Sequence, residues 1–158
     1  MRVRIVVADQ SEARFYDTER YDEPLSLAGR LTDENAHLHD RDFKSDRPGR
    51  VFDHAASGGR RGAVAHHATE SERRPRKLEA TRFARQIAAE LEKARREDSF
   101  ERMVLVAGPP FLGLLREALA KELHSQIAVE IPKDLVHEAA GDLLAYVPRE
   151  VFFSRELR

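Results

Sequence analysis

Short apolar runs separated by turn residues predict a β-hairpin and a third strand at the start of the chain. The run Val3 to Ala8 is rich in β-branched residues and stops at the turn-forming segment Asp9-Gln10-Ser11-Glu12, which is typical of a strand end. Ala13 to Thr18 is predicted to be its hairpin partner. Leu25 to Leu31 predicts a weaker third strand, because its apolar positions only partly alternate.

A helical pattern dominates the middle of the chain and predicts one long helix from about residue 75 to residue 97. Pro75 suits a first helical turn, where its missing N–H costs nothing. One side of the helix is apolar, at a spacing of three and four residues: Ala80, Phe83, Ala84, Ile87, Ala88 and Leu91. The other side is polar: Glu79, Arg82, Gln86, Glu90 and Lys93.

The remaining elements complete an α/β pattern. Met103 to Ala107 is wholly apolar and predicts a strand buried on both faces. A second helix follows Gly108-Pro109-Pro110, and Ile127 to Ile131 predicts another strand. Short helices are expected at about residues 135–144 and after residue 148. Hairpin strands followed by alternating helices and strands predict an α/β fold with a mixed sheet and flanking helices.

Between His37 and Pro75 almost no apolar periodicity is present, which predicts a long loop. The overlapping stretch from Arg41 to Lys77 contains ten basic and five acidic residues, a local excess of +5 (ten minus five). The whole chain has a formal charge of −1. With 158 residues the chain is expected to form one domain. Loops of this length in compact domains tend to be functional or disordered. The segment from about residue 40 to residue 74 is therefore predicted to be a mobile basic loop.

The segment Ser57-Gly58-Gly59-Arg60-Arg61-Gly62 is the candidate contact site of this loop. Glycine backbone approaches a partner closely, and arginine guanidinium groups bind phosphate. The flanking arginines of the turn Arg47-Pro48-Gly49-Arg50 belong to the same candidate site. The pattern therefore favours contact with phosphate or RNA, and a disordered loop whose charges keep the chain soluble is the alternative.

Catalytic, metal and cofactor sites are not assigned by the sequence. The chain has no cysteine, which excludes disulfides and thiolate chemistry. Five histidines fall in or beside the loop, at spacings that match no metal signature: His37, His39, His54, His66 and His67. Asp9 suits a hairpin turn better than a metal site with Asp17 and Asp134. Gly108-Pro109-Pro110 lacks the pattern of a nucleotide-binding turn, since proline removes N–H donors.

The location expected from the sequence is the cytoplasm. The apolar run Ile5-Val6-Val7-Ala8 is too short for the core of a signal peptide. No run approaches the ~20 apolar residues that span a bilayer, so no membrane association is predicted.

The chain resembles the bacterial host attachment protein family over nearly its full length. The resemblance rests on these segments: Val6-Val7-Ala8-Asp9, Ser45-Asp46-Arg47-Pro48-Gly49-Arg50-Val51-Phe52-Asp53, Gly58-Gly59, Phe83-Ala84, Leu105-Val106-Ala107, Pro110-Phe111-Leu112-Gly113-Leu114-Leu115-Arg116 and Glu130-Ile131-Pro132-Lys133-Asp134-Leu135. That family is similar to the middle domain of eukaryotic and archaeal class-1 peptide-chain release factors. The similarity implies an RNase H-like sheet in which a Gly-Gly-Gln loop precedes a long helix. Here Gly58 and Gly59 match the glycines, whereas Arg60 stands at the glutamine position.

Three functional hypotheses follow from these patterns. The first is a cytoplasmic factor that contacts the ribosome or RNA through Gly58, Gly59, Arg60, Arg61 and Gly62. The second is a non-enzymatic regulatory or interaction protein that influences attachment to host cells through an unknown protein partner. The third is a metal-dependent hydrolase that uses Asp9 and the histidines. Since arginine only donates hydrogen bonds, ordinary peptide-chain termination is not expected.

Overall fold

Five strands form one mixed sheet in the computed structural model, which describes residues 1–34 and 60–153, with backbone alone for residues 60–73. The strands are β1 (Val3–Ala8), β2 (Glu12–Thr18), β3 (Ser26–Thr32), β4 (Arg102–Ala107) and β5 (Ile127–Ile131). Their order is β3-β2-β1-β4-β5. The pairs β1–β2 and β2–β3 are antiparallel, and the pairs β1–β4 and β4–β5 are parallel. The five predicted strands and the mixed α/β class are confirmed.

β1 lies at the centre of the sheet, and all six of its residues are buried. Its one charged residue is Arg4, whose guanidinium donates two hydrogen bonds of 2.9 Å to the carboxylate of Asp17 on β2. The same guanidinium lies 5.2 Å from the ring centroid of Phe100. A buried charge needs such a partner, so these contacts explain how a cation is accommodated in the central strand.

The helices are α1 (Arg60–Arg96), α2 (Pro109–Ala118), α3 (Lys121–His124) and α4 (Ala140–Leu143). Leu119 and Ala120 have extended backbone between α2 and α3, so the predicted second helix is divided in two. Both Leu119 and Leu123 are nevertheless buried. Near the end of the chain, two short 3₁₀ helices span Leu144–Tyr146 and Arg149–Phe152.

α1 begins at Arg60 and not near residue 75, so the prediction that residues 60–74 belong to a loop is wrong. Pro75 lies inside the helix, where proline removes one hydrogen bond and crowds the carbonyl four residues earlier but keeps a helical φ. Ala63, Ala65 and Ala68 have the highest intrinsic helix propensity. The predicted helix start at Pro75 was therefore wrong, because the residues before it also favour a helix. The predicted loop residues 40–59 lie outside the described residues.

Two apolar cores pack against opposite faces of the sheet. On one face α1, α2 and α3 cover Val6, Phe15 and Leu105. The rings of Phe83 on α1 and Phe111 on α2 meet there with centroids 6.1 Å apart. The other face is covered by the segment after β5, through Leu135, Val136, Leu143, Val147 and Val151. α1 and α2 lie on the same face of the sheet and frame the edge where β1 and β4 end.

Candidate functional site

The carboxyl ends of β1 and β4 meet at one edge of the sheet, because these strands are parallel, and the chain after β5 returns to the same edge. Open α/β sheets bind ligands at this kind of edge. A crevice of ≈ 310 Å³ opens there. We call it the edge crevice, and it is lined by Asp9, Gln10, Arg76, Lys77, Ala80, Gly108, Pro110, Phe111, Leu114 and Asp134.

Asp9 organises the hairpin turn beside the edge crevice. Its Oδ1 accepts hydrogen bonds from the backbone N–H groups of Ser11 and Glu12, both at 2.8 Å, and from the Ser11 hydroxyl at 3.1 Å. A carboxylate that bonds backbone two residues onward is an Asx turn. The predicted role of Asp9 as a turn residue is confirmed. Its Oδ2 accepts no hydrogen bond from the described part of the chain.

Asp17 and Asp134, the two acids considered as partners of Asp9, lie in different places. Asp17 pairs with Arg4 near the amino end of β1 and is therefore remote from Asp9. Asp134 is exposed and lines the edge crevice with Asp9, although no sequence pattern predicted that the two lie together. The signal that could have found this pair is that each acid closely follows a strand, β1 for Asp9 and β5 for Asp134.

The side chains that the structure describes offer no support for a metal site. Within residues 1–34 and 74–153, no group of three or more His, Asp or Glu side chains is placed to hold a metal ion. His66 and His67 are described only by their backbone in α1, and His37, His39 and His54 lie outside the described residues. The metal-dependent hydrolase therefore has no supporting geometry in the part of the chain that is described.

The turn between β4 and α2 is unsuited to phosphate. Gly108 is the N-cap of α2, and the first two helical positions are Pro109 and Pro110. These two residues have no N–H, so the first turn lacks two of the donors with which a helix normally binds an anion. The prediction that this turn is not a nucleotide-binding loop agrees with this geometry.

Gly108→Ala is expected to leave the fold intact and to raise the free energy of unfolding by about 0.4–1 kcal/mol. The φ of Gly108 is −60°, which alanine adopts freely. An added Cβ would meet the Cβ of Asp134 at 3.9 Å, an ordinary contact. Urea unfolding of the two proteins measures the difference, and a loss above 1 kcal/mol would show that the turn needs glycine.

The predicted Gly-Gly-Arg-Arg contact site is only partly described. Arg60, Arg61 and Gly62 are the first residues of α1. Gly58 and Gly59 lie outside the described residues, as do Arg47 and Arg50. The helix α1 therefore begins at the residue that directly follows Gly58-Gly59 in the sequence.

The solvent side of α1 has a line of cations, which we call the basic face: Arg74, Arg82, Arg85, Lys93 and Arg96. Their spacings of three and eight residues place all five within about 100° around the helix axis, opposite the buried stripe that runs from Ala80 to Ala94. Arg82 pairs with Glu79 at 3.5 Å and Arg96 with Glu92 at 3.3 Å. Arg74, Arg85 and Lys93 form no ion pair with any described side chain. Arg82 and Lys93 were predicted on the polar side of the helix, but the basic face as a whole was not predicted.

Three carboxylates are held in the ionised form by arginines. Burial raises the pKa of Glu12, but hydrogen bonds and charges from Arg30 and Arg14 outweigh it and leave the pKa below its usual value. A hydrogen bond from Arg95 lowers the pKa of Glu92. A hydrogen bond from Arg116 likewise lowers the pKa of Glu130. None of the three lines the edge crevice, so these shifts reflect ion pairing in the scaffold.

Comparison with known proteins supplies a family for the chain. None of the helices in the described residues has the length and the apolar character to cross a membrane. No curated protein matches the chain. The model of one family, described as "Protein required for attachment to host cells", matches residues 4–147. Because this match covers most of the sequence, including the edge crevice and the basic face, the chain belongs to the family of proteins required for attachment to host cells.

Proposed function

We propose that this host attachment family protein is a cytoplasmic factor that binds RNA, on the ribosome or free, through the basic face and the adjoining Gly58-Gly59-Arg60-Arg61 segment. The observation that carries the proposal is the set of exposed cations along α1, three of which form no ion pair with a described residue. Cations left without a protein partner are available to phosphates.

The length of α1 supports a contact with an extended polyanion. α1 has 37 residues, which corresponds to roughly 55 Å. Among residues 74–96, whose side chains are described, the buried positions begin at Ala80, and residues 74–78 are exposed. From Arg74 to Arg96 the basic face extends over roughly 33 Å, a distance that several successive phosphates of a nucleic acid backbone occupy.

The resemblance to release-factor middle domains supports the same interpretation. We propose that the mixed sheet is RNase H-like. We also propose that Gly58 and Gly59 correspond to the two glycines of a Gly-Gly-Gln loop, and that Arg60, at the glutamine position, and Arg61 make the contact at the start of the long helix. α1 starts at Arg60, directly after the two glycines. An arginine at the glutamine position favours phosphate contact over the positioning of a water molecule, because it offers donors alone.

The test is RNA binding across a salt series, measured by fluorescence anisotropy with a single-stranded RNA and by co-sedimentation with bacterial ribosomes. We expect binding at low salt that weakens as salt rises. The variant Arg74→Gln/Arg85→Gln/Lys93→Gln should bind about tenfold or more weakly, with the salt slope reduced by roughly one per lost phosphate contact. Arg60→Ala/Arg61→Ala should weaken binding independently.

The matched control is Arg2→Gln/Arg20→Gln/Lys121→Gln, which removes the same charge from exposed positions outside α1. It should bind RNA as the unmodified protein does. Equal losses in the two triple variants would mean a response to net charge alone and would contradict the proposal. The absence of binding at low salt would also contradict it and would favour the regulatory protein that acts through a protein partner.

A further inference from the structure

We propose that the edge crevice binds a free α-amino acid with an apolar side chain. The crevice is lined by two carboxylates, two cations and an apolar floor, and this combination matches the three parts of such a ligand. The proposal is independent of RNA binding, because it concerns the sheet edge and not the basic face.

The charged groups of the crevice favour a zwitterion. Asp9 and Asp134 are matched in number by Arg76 and Lys77, so the lining has no net charge. Asp9 Oδ2 accepts no hydrogen bond from a described residue, and the exposed side chains of Asp134 and Lys77 form no ion pair within the described part of the chain. A ligand ammonium group bound by the two carboxylates and a ligand carboxylate bound by Lys77 would form the charge-assisted hydrogen bonds that are strongest in proteins.

The floor of the crevice favours an apolar side chain of limited size. Ala80 and Phe111 are each 6% exposed, and Leu114 packs beside them against the core of α1 and α2. Ligand pockets usually measure about 300–1,000 Å³, so a crevice of ≈ 310 Å³ belongs at the small end. That size suits a single amino acid better than a nucleotide.

Two other ligand classes fit the lining less well. A phosphate group would meet both carboxylates, and Pro109 and Pro110 deprive the neighbouring helix start of N–H donors. A divalent cation would find two carboxylates beside two cations, and one oxygen of Asp9 is already occupied by its turn. The mixed charges that disfavour both of these ligands are the ones that a zwitterion requires.

Isothermal titration calorimetry of the full chain with each of the standard amino acids tests the proposal. We expect saturable binding of leucine, isoleucine, valine, methionine or phenylalanine, and none of aspartate or lysine. The analogue of the best ligand that has a hydroxyl in place of the ammonium group should bind about tenfold or more weakly. The analogue without the carboxylate should show a similar loss.

Substitutions in the crevice complete the test. Asp134→Asn and Lys77→Gln alter exposed side chains and should each raise the Kd about 10- to 100-fold. Asp142→Asn and Lys121→Gln are the matched controls at exposed positions outside the crevice, and they should leave the Kd unchanged. The proposal is overturned if no amino acid binds saturably, or if binding is equally tight in all four variants.

Discussion

Phe83→Ala is expected to lower the free energy of unfolding by about 3–5 kcal/mol. Phe83 is 1% exposed and its ring meets Phe111 across the interface between α1 and α2. Its removal leaves a cavity where the two helices join the sheet. Since natural domains are stable by about 5–15 kcal/mol, this one change should remove a large part of the total.

Urea unfolding followed by far-UV circular dichroism measures this loss as a fall in the midpoint. Leu78→Ala is the matched control on the same helix, because Leu78 is 67% exposed and should change stability by less than about 0.5 kcal/mol. Equal midpoints for the two variants would show that α1 is not packed on the sheet through Phe83.

Glu12→Gln is expected to cost about 1–3 kcal/mol at neutral pH, the second largest effect. Glu12 is 7% exposed, and its carboxylate accepts hydrogen bonds from Arg14 at 2.8 Å and from Arg30. Removing one partner of a buried ion pair usually costs about 3–5 kcal/mol. The expected cost of Glu12→Gln lies below that range because Arg30 is largely exposed and solvent screens its charge.

The cost of Glu12→Gln should depend on pH. The pKa of Glu12 in the folded protein lies below its usual value of 4.5, so the folded state binds the proton less tightly than the unfolded state. The stabilisation is therefore complete above about pH 4.5 and is lost as the pH falls through the folded pKa. The difference in unfolding free energy between the two proteins should shrink over that acidic range.

Urea unfolding of both proteins across a pH series measures this dependence. Glu130→Gln is the matched control, because Glu130 also pairs with an arginine, Arg116, but its side chain is 26% exposed whereas that of Glu12 is 9% exposed. Its cost should stay within about 0–1 kcal/mol. A Glu12→Gln cost that is absent at neutral pH, or that persists unchanged in acid, would contradict the role assigned to the ion pairs.

Much of the fold was predictable because the strands have strong local signals. The mainly apolar runs in β1 and β4 and the hairpin turn at Asp9 determine the sheet centre, and all were predicted within a residue. The start of α1 was not predicted, because a proline usually marks a helix boundary, whereas Pro75 lies inside the helix here. Local propensity cannot tell a proline that starts a helix from one inside it.

The candidate site was harder to predict, because it depends on chain pairing over long distances. Asp9 and Asp134 share the edge crevice only because β1 and β5 both run parallel to β4. No sequence spacing indicates that parallel arrangement. By contrast, the basic face follows from helical periodicity alone, and extending the predicted α1 over Arg74 would have disclosed it. The Gly58-Gly59 contact stays a prediction.

The central position of β1 affects when the sheet can form during synthesis of the chain. β1, residues 3–8, is made well before its parallel neighbour β4, residues 102–107. At about 5–20 residues per second, a growing chain presents one apolar edge of its hairpin to the surroundings for several seconds before that neighbour exists. The buried strand that holds the finished sheet together is thus the segment of the nascent chain most in need of protection during synthesis.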